Sequence, residues 1–120
     1  METFRFTKFK VYQDAKELNR EIFLLVKKFP TLFKDLGSQM VRSSLSIVLN
    51  IAEGSAKRSD KDFRRYLENA LGSASETLAG LDIVLFNSLI DEAESHKLTA
   101  KLDEISKQLG GLIKKLNVKS

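Results

Sequence analysis

Four stretches of the chain repeat apolar residues at intervals of three and four, the spacing that lines one face of a helix. In the first, over 9–28, Val11, Ala15, Leu18, Ile22, Leu25 and Phe29 make the seam. Pro30 is expected to end it, because the residue before a proline is pushed out of the helical region. In the second, over 36–54, Met40, Val41, Leu45, Ile47, Val48, Ile51 and Ala52 give a broad apolar arc, and Gly54 is expected to close it as a left-handed cap. The third, over 60–88, repeats Phe63, Leu67, Ala70, Ala74, Leu78, Leu81 and Leu85, with Ser59 as N-cap and Asp62 where a capping box wants an acid. The fourth, over 92–116, follows Asp91 as N-cap with Glu94 three residues on, and carries Leu98, Leu102, Ile105, Leu109, Leu112 and Leu116. Gly110-Gly111 weakens this helix by ~1 kcal/mol per glycine relative to alanine and leaves room for another helix to come close.

Each seam is too narrow to be stable alone, and bundling covers all four. Short connections favour antiparallel up-down-up-down packing, so the expected fold is an all-α four-helix bundle in one domain, residues 1–120. One Pro and six Gly are too little turn punctuation for a β-rich chain of 120 residues. Residues 1–8 stand apart as an N-terminal arm, where Phe4 and Phe6, with Phe9 just beyond, sit among Arg5, Lys8 and Lys10. Two readings are open for it: rings docked on their own bundle, or an arm that reaches a neighbouring subunit.

Composition removes several kinds of chemistry. Cysteine is absent, which excludes disulfides and thiolate metal sites and makes a reducing compartment the default. His96 is the single histidine, so triads have little to work with. Glu92 and His96 could share a helix face, but a di-iron bundle needs Glu-x-x-His from two helices. No glycine pattern forms a phosphate-cradling loop. The chain is therefore expected to have no catalytic residues, no metal and no cofactor. Nothing approaches the ~20 apolar residues of a membrane span, and charges interrupt the first ten residues too often for a signal peptide. A soluble, cytoplasmic protein without a membrane partner is the expectation.

Two polar features remain. On the second helix Gln39, Arg42, Ser43, Ser46, Asn50 and Glu53 recur at three and four, opposite the apolar arc. Asn69, Gly72, Ser73, Glu76 and Gly80 form a matching stripe on the third. These short hydrogen-bonding types suit a close-packed polar seam, with Gln39, Ser46, Asn50, Glu53, Ser73 and Glu76 as its candidates. An ordinary solvent face is the alternative; a seam could join the two helices or two subunits. The turn between these helices gathers Lys57, Arg58, Lys61, Arg64 and Arg65, offset in part by Asp60, Asp62 and Glu68. It is either a solvated turn or, with Arg42, a phosphate-contact patch. Net charge is +4, which permits an RNA or DNA partner without demanding one. Residues 82–94 hold four acids and no base, against six Lys and two acids over 96–120, so charge is unevenly spread.

Several motifs carry a resemblance: Phe9-Lys10-Val11-Tyr12-Gln13, Phe29-Pro30, Gln39-x-x-Arg42, Asn50-Ile51-Ala52-Glu53-Gly54, Arg58-Ser59 and Ala70-Leu71-Gly72-Ser73 with Glu76. Together they resemble the four-helix-bundle family of 23S rRNA intervening-sequence proteins, also labelled a ribosomal protein. The accessory variability protein of diversity-generating retroelements is similar. The resemblance implies a homopentameric ring of four-helix protomers, a basic surface suspected of binding nucleic acid, a reverse-transcriptase partner for the retroelement relative, and no catalysis. The chain departs from the pattern in places. The family usually has proline where Val48 stands, a second arginine where Val41 stands, and Ala-Ala at Ser43-Ser44. After Phe29-Pro30 this chain has Thr31-Leu32-Phe33-Lys34-Asp35-Leu36 in place of an acidic stretch with Tyr-Gly-Leu.

The expected function is a non-enzymatic homo-oligomer that binds nucleic-acid phosphates without strong sequence specificity. The rival is a protein-interaction scaffold or accessory factor with no direct nucleic-acid role.

Overall fold

The computed structural model describes residues 4–116, and they are all-α. A 3-10 turn, Arg5–Lys8, leads into α1, Lys10–Val26; a second, Thr31–Phe33, leads into α2, Lys34–Ser55; α3, Asp60–Phe86, and α4, Glu92–Lys115, follow. The seams point inward as the periodicity requires. Leu18, Ile22, Ile47, Ile51, Leu67, Leu81, Ile105 and Leu109 are almost completely removed from water. At ~1.5–3 kcal/mol for each such side chain, this shared core, rather than helix propensity, holds the four helices.

Polar contacts between neighbours show an up-down-up-down order. Ser43 of α2 meets Thr77 of α3, and Ser46 meets Ser73 one turn further on. Asp14 and Glu21 of α1 meet Gln108 and Lys101 of α4. Asn19 of α1 donates to Ser44 of α2. The bundle is a rod of 45 × 23 × 20 Å. Its ends lie several times ~8 Å apart, the screening length at physiological salt, so charges at one end do not govern the other.

Three expectations about glycines and helix ends need correction. Gly54 is not a left-handed cap: no glycine among the described residues has positive φ, and α2 runs on to Ser55. It is small because a Cβ there would stand 2.7 Å from Tyr66 Cβ and 3.0 Å from Phe63 Cδ1. Gly110 and Gly111 admit no neighbouring helix, since a Cβ on either would meet nothing within 4 Å. The third helix stops at Phe86, not at 88. Ser88 takes φ 59°, its N–H bonds the Leu85 carbonyl and the Leu89 N–H bonds that of Val84. This is a Schellman ending with serine where glycine is usual.

The first helix stops at Val26, four residues before Pro30, and α2 starts at Lys34 and passes Val48 unbroken. Leu45 and Leu78, both expected inside, are 39% and 45% exposed. Ser59 and Asp91 do cap α3 and α4, accepting from the N–H of Asp62 and Glu94.

Candidate nucleic-acid interface

The α2–α3 turn begins where the two helices pack closely. With no Cβ at Gly54, α2 lies directly against Phe63 and Tyr66, and the chain reverses within 56–59. These two rings organise the cations around them. Lys57 Nζ and the Arg65 guanidinium lie 5.1 and 4.9 Å from the centre of the Tyr66 ring. Arg5 donates from Nε to the Ser55 carbonyl at 3.2 Å, and its guanidinium lies 5.4 Å from the centre of the Phe63 ring. Phe9 stacks on Phe63 at 6.4 Å, and Phe6 meets Tyr12 edge-on at 4.9 Å. Over residues 4–8 the arm therefore docks on its own bundle; residues 1–3 lie outside the described residues.

Pairing leaves part of this charge uncompensated. Arg64 pairs with Glu68 at 3.2 Å and Arg65 with Asp62 at 3.7 Å, both exposed contacts of small energy. Arg58 and Lys61 are exposed and have no ion-pair or hydrogen-bond partner among the described residues. Lys114 and Lys115, in the last turn of α4, stand at the same end of the rod. Lys10 is spent locally, donating to Asp14 at 2.7 Å. Partial burial opposes the Asp14 charge, but hydrogen bonds from Lys10 and Gln108 prevail and hold its pKa below the ordinary carboxylate value. The same bond raises the Lys10 pKa.

Arg42 does not join the turn. Fifteen residues of mostly helical chain separate it from Lys57, about 20 Å along α2. It lines a groove of about 770 Å³ at the opposite end, with Phe23, Val26 and Phe29 below and Lys27 and Lys34 at the rim. His96 is exposed on α4, along a cleft with Leu78 and Asp103.

The candidate polar seam divides. Ser46, Asn50 and Ser73 come together between α2 and α3: Ser73 Oγ donates to Ser46 Oγ at 2.8 Å, and Asn50 Nδ2 donates to the same oxygen at 3.0 Å. Gln39, Glu53 and Glu76 are exposed on the outer flank and make no such link. Thr77, fully buried, was absent from the candidates, although it follows Ser73 at one helical turn. It donates to the Ser73 carbonyl, and its oxygen lies 2.8 Å from the Ser43 hydroxyl, a pair in which either oxygen can be the donor. Ser44 accepts from Asn19 at 2.9 Å. The serines that stand at the Ala-Ala positions of the resemblance thus tie α2 to both neighbours. Arg5 carried no helical signal, because its partner is a main-chain carbonyl 50 residues away.

Residues 7–111 match the family model of the 23S rRNA-intervening sequence protein. The chain belongs to that family. The match spans the turn and the α2–α3 seam, and leaves Arg5, Lys114 and Lys115 outside it. A solved structure from the S23 ribosomal protein family of Bacteroides thetaiotaomicron, a protein of unknown function, is 28% identical. The similarity covers 87% of this chain and 98% of that one, with a TM-score of 0.79. Among curated proteins none matches the chain. No helix among the described residues is long and apolar enough to cross a membrane.

Proposed function

We propose that this member of the 23S rRNA-intervening sequence protein family is a non-enzymatic, cytoplasmic homo-oligomer, a pentameric ring, that binds nucleic acid through the basic end of each bundle. One observation carries the reading. Lys57, Arg58, Lys61, Arg64 and Arg65 converge at a single turn, and Arg5 joins them from the arm. Arg58 and Lys61 supply the charge that no carboxylate answers.

The chemistry favours phosphates over bases. Phe63 is buried and Tyr66 is flanked by two cations, so neither ring offers a free face on which a base could stack. Contacts of this kind position a polyanion without reading its sequence. Repetition around a ring multiplies a modest patch into a strong field. Arg42, at the far end, is not part of this surface.

A mobility-shift assay at low salt, with unrelated RNA and DNA duplexes and single strands, tests the reading. Retardation of several unrelated sequences is expected. A protein that retards none of them contradicts it. The rival, a protein-interaction scaffold, draws on a separate observation: Leu49, Ile83 and Phe86 are 56%, 44% and 87% exposed on α2 and α3. It expects that Arg58→Glu with Lys61→Glu leaves function unchanged.

A further inference from the structure

The end of the bundle away from the basic turn carries two surfaces that fit one another. The first is the groove between α1 and α2. Phe23, Val26, Phe29 and Val41 supply apolar walls, Lys27, Lys34 and Arg42 supply charge, and no carboxylate lines it. Lys34 and Arg42 are exposed and have no partner among the described residues. The second surface is the α3–α4 corner. Phe86 projects 87% exposed and Ile83 44%, beside Asp82, with Asp91, Glu92 and Glu94 across the turn. One surface is apolar and cationic, the other apolar and anionic.

Their heights along the rod agree. The register that sets Ser43 against Thr77, and Met40 against Gly80, runs antiparallel through α2 and α3. Continued to the end of the bundle, it places Phe86 level with Lys34, and Asp82 level with Ser38, between Lys34 and Arg42. Two copies standing side by side with parallel axes therefore bring the corner of one to the groove of the next without sliding.

We infer that the α1–α2 groove receives the α3–α4 corner of a second copy of this chain, Phe86 entering between the aromatic walls while Asp82 faces Lys34 and Arg42. The contact is head-to-tail. A symmetric pairing would set three cations against their own copies, or the acidic corner against itself, and like charges at close range oppose that. Because groove and corner lie on different helix pairs, each subunit offers both at once, as head-to-tail assembly requires; such an assembly closes into a ring when the rotation between neighbours allows it. The inference rests on the self-association in the proposed function and names its surfaces. It also gives Arg42 a role unrelated to phosphates.

Sedimentation velocity on the full chain tests it, with one variant per surface: Lys34→Glu with Arg42→Glu, and Asp82→Ser with Phe86→Ser. All four side chains are exposed, and circular dichroism checks that each variant keeps its helices. The wild type is expected to sediment as an oligomer and each variant alone as a monomer. An equimolar mixture is expected to form a dimer, since each variant keeps the surface the other lacks. An oligomeric wild type whose variants keep its full mass overturns this inference and leaves the proposed self-association standing. A monomeric wild type overturns both, and the groove then serves a different partner.

Discussion

Phe63 at the basic end of this bundle and Phe86 at the other are used in opposite ways. At the basic end Phe63 is 5% exposed, and the cations of Arg5, Lys57 and Arg65 lie over Phe63 and Tyr66. At the other end Phe86 is 87% exposed, on the same face as Asp82, which has no ion-pair partner among the described residues. Covered rings with cations outermost present a polyelectrolyte surface. Bare rings ringed by charge present a surface that is unfinished until another protein covers it. One small fold thus separates a site suited to phosphates from a site suited to protein, toward opposite ends of a rod 45 Å long.

The sharpest break of this comparison is a matched pair of truncations. Phe63→Ala should cost about 3–5 kcal/mol, because it empties a closed part of the core. Phe86→Ala should stay within about 0.5 kcal/mol in a monomeric background, because the ring touches little of its own subunit. Urea unfolding monitored by circular dichroism, with Lys34→Glu and Arg42→Glu in the background, measures both. Equal losses would erase the distinction between the ends.

Glycines give a smaller contrast. Gly54→Ala forces a methyl against Tyr66 and Phe63 and should destabilise by about 1–3 kcal/mol. Gly110→Ala meets nothing, lies inside α4, and should stabilise by about 1 kcal/mol. Thermal melts of the two variants should move in opposite directions.

The smallest effect concerns Asp14, which ties α1 to α4 near the basic end. Its pKa is lowered in the folded chain, so its contribution is present above the unfolded-state value and is lost as pH falls through the folded value. Wild type should lose more stability than Asp14→Asn on acidification below the ordinary carboxylate range. Urea titrations at a series of acidic pH values read the difference, and parallel curves would refute it.

Much of the fold was legible because burial and helical periodicity are the same pattern seen twice. Val11, Ala15, Leu18, Ile22 and Leu25 recur at three and four, and all five are buried. What the chain could not show alone is set by contacts distant in sequence. Gly54 resembles a cap in one dimension, while its cause is Tyr66 on another helix. Ser88 hides a left-handed turn behind a residue type that seldom adopts one. In the candidate site, the turn cluster was visible because its residues are neighbours in sequence. Arg42 was grouped with it by charge type alone, and the rise of α2 carries it to the other end. Arg5 joins through a carbonyl, which no side-chain pattern announces. The seam was half legible: Ser46, Asn50 and Ser73 meet, while Thr77, apolar enough to pass as core, completes the network.

The salt dependence of nucleic-acid binding tests the basic end most directly. Fluorescence anisotropy with a labelled RNA duplex should give a dissociation constant that rises steeply with salt, the log–log slope growing by about 0.7–0.9 for each phosphate engaged. Arg58→Glu with Lys61→Glu should weaken binding at least tenfold at low salt and flatten that slope. Affinity that is indifferent to salt, or unchanged by reversing these two charges, would contradict the account.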